Sequence, residues 1–206
     1  MMGLMTSGVK SETERQILAA ASELLETKGE KGLTARAVCQ VVNVKQPTLY
    51  HYFGSKDGLL HALVADGITD FIAFKRTCGD VADPIEGLML GWHAFLDYSA
   101  LHPQLMKMIH RTVSQCPDAT ASAMATARQK LGRLEREGRL QIEVDIAIDM
   151  LLLVAHGTLA LWTQGKPLTS VRESATRSFE AVLSAIIRDY RSPPENHARS
   201  EVLEGA

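Results

Sequence analysis

Residues 34–56 read TARAVCQVVNVKQPTLYHYFGSK, and this stretch decides the fold. Thr34 suits the start of a short helix, because its hydroxyl can accept from a first-turn backbone amide. Ala37, Val38 and Val41 would then face inward. Val42-Asn43 reads as a turn, since asparagine tolerates positive φ. A second short helix is expected from about Gln46 to Tyr52, with Pro47 in its first turn, where a missing N–H costs nothing. Gly54 breaks it, and Ser55 can cap the next helix. Two short helices joined by a tight turn form the helix-turn-helix pattern.

Working outward, every neighbouring segment also reads as helix. Ser11-Glu12-Thr13-Glu14 is a capping box, followed by the apolar face of Ile17, Ala21, Leu24 and Leu25, with Gly29 available as a left-handed cap. A long helix is expected from Lys56 to about Arg76. Asp83-Pro84 starts another that runs to about Ala100, and His102-Pro103 precedes a short one. Beyond Cys116-Pro117-Asp118 a helix runs to about Glu137 and ends near Gly138. The next spans roughly Glu143 to Thr163 and is closed by Gly165-Lys166-Pro167. Ser170-x-x-Glu173 reads as a second capping box for a last helix ending near Tyr190. No segment shows sustained period-two alternation, so the expected class is all-α with about nine helices. A flexible N-terminus over 1–10, a reading domain over 11–57, a helical domain over 58–190 and a disordered tail over 191–206 complete the expected organisation.

Composition narrows the classes of function. The 206 residues are 46% apolar and 22% charged, with a net charge of −2, which excludes coating nucleic acid by bulk charge. The charge is unevenly spread, however. Lys31, Arg36, Lys45, His51 and Lys56 stand within 31–56 without a carboxylate among them, so that surface can approach a phosphate backbone without repulsion. Three widely spaced cysteines, Cys39, Cys78 and Cys116, argue against a disulfide framework and for reduced thiols in the cytoplasm. The longest uncharged stretch, Met150 to Gly165, contains His156, Thr158, Thr163 and Gln164 and reads as a buried helix rather than a bilayer span. No short ligand pair points to a metal, and no cofactor is expected. Phosphate loops, paired catalytic carboxylates and a nucleophile elbow are missing, so an all-helical enzyme is the weaker alternative.

One family carries the same residues in the same order. Ile17-Leu18-Ala19-Ala20-Ala21, Gly29, Leu33-Thr34, and then Val44-x-x-Pro47-Thr48-Leu49-Tyr50-His51-Tyr52-Phe53-Gly54-Ser55-Lys56-x-x-Leu59-Leu60 resemble the DNA-binding domain of TetR-type transcriptional regulators. The match covers about residues 11–62. Asn43 replaces the turn glycine typical of that family, Tyr50-His51-Tyr52-Phe53 replaces Tyr-x-His-Phe, and Lys45 replaces a small capping residue. The resemblance implies a recognition helix that enters the major groove. There Gln46 can pair with adenine edges, Pro47 and the Thr48 methyl can meet thymine methyls, and His51 lies alongside. Lys45 can reach a guanine or a phosphate. Thr34, Tyr50, Tyr52 and Lys56 are expected to position phosphates, and Arg36 to serve phosphate or groove. Leu49 and Phe53 read as core.

Past residue 80 the agreement with that family is in helix number and length only. Phe71, Phe74, Trp92, His93, Phe95, Leu96, His110 and Met124 mix apolar walls with polar groups, which suits either a cavity for a small apolar effector or plain core packing. The helix from Glu143 and its successor are apolar enough to leave an exposed patch on a monomer. Pairing two copies as a homodimer would cover it, and Phe179, Val182 and Ile186 are the expected interface. The combined expectation is a dimeric repressor released from a palindromic double-stranded operator by a small effector. A ligand-blind or protein-gated regulator stays open beside it.

Overall fold

The computed structural model describes residues 10–77, 79, 81–112 and 117–191. The expected flexible start over 1–9, Cys78, Cys116 and the expected tail from Ser192 lie outside the described residues. Among those described there are nine helices: α1 Glu12–Gly32, α2 Ala35–Val41, α3 Gln46–Phe53, α4 Lys56–Thr77, α5 Pro84–Leu101, α6 Pro103–Thr112, α7 Pro117–Arg136, α8 Val144–Thr163 and α9 Leu168–Ile186. The fold is all-α. Extended pairing among the described residues is confined to an isolated antiparallel bridge between Leu140 and Ile187.

Local chemistry sets four of these helix starts. The Ser11 hydroxyl accepts from Glu14 N at 3.1 Å, Thr34 from Ala37 N at 3.1 Å and Ser55 from Gly58 N at 3.0 Å. Each satisfies one of the orphan donors of a helix N-terminus, worth about 1 kcal/mol. The Asp83 carboxylate does the same for Ile85 N and Glu86 N at 3.3 and 3.4 Å. Gly29 adopts φ 65°, so α1 is kinked there before its last turn, rather than ending at that residue.

The chain divides into two compact units. The first holds residues 1–77 and 95–123: α1 to α4, the end of α5, α6 and the start of α7. This differs from a division into 11–57 and 58–190, because α4 and α6 pack on α1 rather than standing apart from it. Its core includes Ile17, Leu18, Leu25, Val38, Leu49, Leu59 and Leu63, each almost wholly buried. A leucine buried to this degree contributes about 2 kcal/mol. Tyr98 is buried too, and its hydroxyl donates to the Gly67 carbonyl at 3.2 Å. Burial, with Asp70, Glu26 and Asp66 nearby, pushes its phenol well above the ordinary tyrosine range.

The second unit holds residues 78–94 and 124–206, with α8 packed along α9. Trp92 stacks on Phe179 with ring centroids 4.5 Å apart and planes 8° from parallel, while its indole N–H donates to the Thr176 hydroxyl at 3.4 Å. Leu131, Leu134 and Leu183 are buried around this unit's centre.

Three expectations need correction here. Val41 is 56% exposed rather than inward, because it lies in the last turn of α2, where the chain bends away into the Asn43 turn; Cys39 is buried instead. Ser170 does not open a capping box. Helix α9 begins earlier, with Pro167 at its N-cap, and the Ser170 hydroxyl donates back to the Pro167 carbonyl at 2.8 Å. The same helix ends at Ile186, where Ile187 turns extended and its neighbours tie to the 139–141 segment: Gln141 N donates to Ile186 O and Arg188 N to Arg139 O, both at 2.8 Å.

Candidate nucleic-acid interface

The candidate interface begins at the turn between α2 and α3. Asn43 takes φ 52°, and Val44 N donates to Cys39 O at 3.0 Å, closing the end of α2. Asparagine thus fills a left-handed position that usually favours glycine. Lys45 stands at the N-cap of α3 in an extended conformation without a side-chain hydrogen bond to the helix, because an ammonium has no acceptor to offer the first-turn amides.

Leu49 is the buried pin of α3, and it fixes which face turns outward. Lys45, Gln46, Pro47, Tyr50, His51 and Tyr52 are exposed, and Thr48 is half-buried. Tyr50 and Tyr52 keep 38% and 37% of their surface, enough to leave both phenols on the outside. The Tyr52 ring meets His51 edge-on at 5.5 Å and Phe53 at 6.3 Å, which holds it against the helix. Phe53 is only half-buried, less enclosed than a core residue. Thr34 and Arg36 are exposed at the start of α2, and Lys56 at the start of α4. All ten expected contact residues are therefore at least partly accessible, and they lie on α2, α3, the caps beside them and the first residue of α4.

A residue missing from the expected set locks the α3–α4 corner. Gly54 turns the chain with φ 72°, and a Cβ on Gly58 would fall 1.9 Å from the Phe53 carbonyl oxygen. Only glycine lets the first turn of α4 approach the end of α3 so closely. The sequence signal is a glycine inside a helix start, where propensity disfavours it.

The residues expected to line an effector cavity divide between the two units. In the first, Phe71 meets Phe95 at 6.2 Å, and Tyr98 meets Phe71 at 5.3 Å and Phe74 at 5.6 Å. Tyr98, three residues beyond Phe95 on the same helix face, is the member that sequence reading missed. Leu96 is fully buried and His110 half-buried. In the second unit Trp92 is buried against Phe179, while His93 is exposed and Met124 half-buried. The expected interface residues also separate. Phe179 and Ile186 are 4% and 1% exposed, packed inside their own chain, and Val182 is half-buried. The exposed apolar surface lies on α8 instead, at Ile146, Leu153 and Leu161. By length and composition α8 is apolar enough to cross a membrane, and most of it is unburied, unlike the enclosed helix expected there. Among the described residues no group of three or more His, Cys, Asp or Glu is placed to hold a metal ion.

Residues 17–63 match the bacterial regulatory proteins of the tetR family. Over 143 residues the chain is 26% identical to the tetracycline repressor protein class E of Escherichia coli, covering 69% of this chain and 64% of that protein. It is 27% identical over 103 residues to the transcriptional regulator UidR of Escherichia coli K12, covering 50% of this chain and 46% of that one. The chain thus matches less than two thirds of the length of either relative. Among solved structures, a TetR transcription regulator from Haloarcula marismortui superposes with a TM-score of 0.73 at 17% identity, over 87% of this chain and all of that one. SmeT, the repressor of a Stenotrophomonas maltophilia multidrug efflux pump, gives a TM-score of 0.70 at 20% identity, over 90% of this chain and 95% of its own. These structures share the fold; the match over 17–63 carries the relationship in sequence. Through that segment, residues 17–63, the chain is similar to the tetR family of bacterial regulatory proteins.

Proposed function

We propose that the chain is a dimeric, DNA-binding transcriptional repressor that acts in the cytoplasm by binding rather than by catalysis. The observation that carries this reading is the α2–α3 surface. Arg36, Lys45, Gln46, Tyr50, His51 and Lys56 are exposed on a stretch that contains no carboxylate from 31 to 56. A surface of one sign with amide, hydroxyl and methyl groups at the start of a helix suits phosphate positioning around base-edge contacts. Thr34, Tyr50, Tyr52 and Lys56 take the phosphates; Gln46, Pro47, Thr48 and His51 take the bases; Lys45 and Arg36 can do either. The repressor sense is supported by two similar proteins that are named repressors.

The second copy is assigned to the exposed apolar side of α8. Ile146, Leu153 and Leu161 recur at helical spacing, and self-association removes them from water. Release is assigned to a small apolar effector, for which the half-buried Phe71, Phe74 and Phe95 offer aromatic surface. Selection of bound duplexes from a random pool tests the central reading. A two-fold site with half-sites about one helical turn apart is the expected product. Recovery of an unpaired half-site, or no enrichment, overturns it. Release is tested by whether any small apolar compound that raises the melting temperature also weakens binding to the selected site.

A further inference from the structure

Four helices take their N-terminal caps from the residue just before them, as Ser11, Thr34, Ser55 and Asp83 show. Helix α6 takes its cap from α1, 78 positions away. Its donors can be followed one by one. Pro103 has no N–H, and Met106 N donates to His102 O at 3.0 Å. The two that remain, Gln104 N and Leu105 N, both donate to Glu26, one to each carboxylate oxygen, at 3.1 and 2.9 Å. The far end of α6 is fastened to the same helix by an ion pair between Arg111 and Glu30. Sideways, the Leu105 side chain sits on Gly67 of α4, where an added Cβ would lie 2.7 Å from it. The first turn of α6 is therefore held at its backbone by α1 and at its side chain by α4.

The topology gives this contact its meaning. Helices α1 to α3 continue into the rest of the chain only through Gly54-Ser55 and α4, so a second anchor decides how firmly their orientation is held. We infer that Glu26 is a positioning residue. By capping α6 it fixes the orientation of the α1–α3 reading surface, so that two copies present their surfaces in one geometry. The inference rests on the dimeric DNA-binding reading above. It predicts a specific pattern, because a loosened reading surface still fits one half-site but engages two at once less readily, through a lower effective concentration.

The test uses the full-length protein with the selected two-fold duplex and with a duplex carrying one of its halves. Glu26→Ala removes two charge-assisted hydrogen bonds and is expected to weaken two-fold binding about tenfold while changing half-site binding less than about twofold. Glu26→Gln keeps one acceptor oxygen and should fall between; it carries the comparison if the alanine variant does not fold. Hydrogen exchange gives a readout independent of DNA. In either variant the Gln104 and Leu105 amides should exchange faster, while those of Leu18 and Leu63 keep their protection. Equal losses on both duplexes would mark a general folding role and overturn the inference, as would unchanged exchange at Gln104 and Leu105. Wild-type protein that does not prefer the two-fold duplex overturns the dimeric reading, and this inference with it.

Discussion

On the α2–α3 surface the exposed side chains include Arg36, Lys45, Gln46, Tyr50, His51 and Tyr52, with Val41 the large aliphatic among them; on α8 they include Ile146, Leu153 and Leu161. Both regions bury an apolar stripe, at Val38 and Leu49 in one case and at Ile148, Leu151 and Leu159 in the other. What separates them is the side left over. The first presents cations, an amide and phenols, groups whose hydration is exchanged for contacts with a polar, anionic partner. The second presents aliphatic carbon, which gains most from another apolar surface. The difference teaches that burial in this fold marks the core, while the chemistry of the unburied remainder differs from one region to the other.

The largest expected effect sets the second region against its neighbour α9. Phe179 stacks on Trp92 inside the chain, whereas Leu153 is 70% exposed. Phe179→Glu places a charge in an apolar site and should cost about 4 kcal/mol or more, seen as loss of cooperative thermal unfolding. Leu153→Glu should keep the helical circular dichroism and sediment as a monomer. If Leu153→Glu stays dimeric while folded, the exposed side of α8 is not the mating surface.

The next effect sharpens the first region. Gln46 is exposed at the first position of α3. Gln46→Ala should weaken binding to the selected site by about 1–3 kcal/mol and relax base preference at one position per half-site. Titration against the selected duplex and a scrambled one checks this, and equal loss on both contradicts a base-reading role.

How far the sequence was legible depends on the same line between local and distant causes. Ser11, Thr34, Ser55 and Asp83 act on amides two or three positions away, so the starts of α1, α2, α4 and α5 could be read directly. Asn43 and the breaks at Gly54, Gly138 and Gly165 were legible because positive φ is a property of single residues. Failures came where a tertiary partner decided. The His102-Pro103 start carries no local cap, and nothing near it in sequence points to Glu26. Ser170-x-x-Glu173 matched a capping box, yet α9 had already begun after Pro167. Phe179 and Ile186 were correctly seen as apolar and on one face, but the period of a helix cannot say whether that face meets its own chain or another. The exposure of the candidate contact residues on α3 was readable because Leu49 alone sets the buried side of that short helix. The aromatic group around Tyr98 was not, because it is assembled from α4 and α5.

A smaller effect separates positioning from reading. Lys56 is exposed at the first residue of α4, just after the Gly54 corner. Lys56→Ala should weaken binding to all duplexes alike and lower the slope of log affinity against log salt by about 1, the signature of one lost phosphate contact. A changed base preference with an unchanged slope would move Lys56 from the phosphates to the groove.

The smallest expected effect lies on α4. Partial burial raises the Asp70 carboxyl above its ordinary range, and the neighbouring Asp66 adds to this, while Lys10 and His102 oppose it. The folded chain therefore holds the Asp70 proton more tightly than the unfolded chain does. Stability from this group is present below the ordinary aspartate range, falls as pH rises through that range to the raised folded value, and stays lower at neutral pH. Asp70→Asn removes the titration. The variant should melt slightly higher than wild type at neutral pH and lose that advantage near about pH 3, where the wild-type carboxyl is protonated in both states. Added salt should narrow the neutral-pH difference only in part, because it screens Asp66 but leaves the burial cost, the larger cause, in place. A variant that melts lower at neutral pH would show instead that the attraction of Lys10 and His102 to this carboxylate outweighs both, and would make Asp70 a stabilising member of the α4 surface.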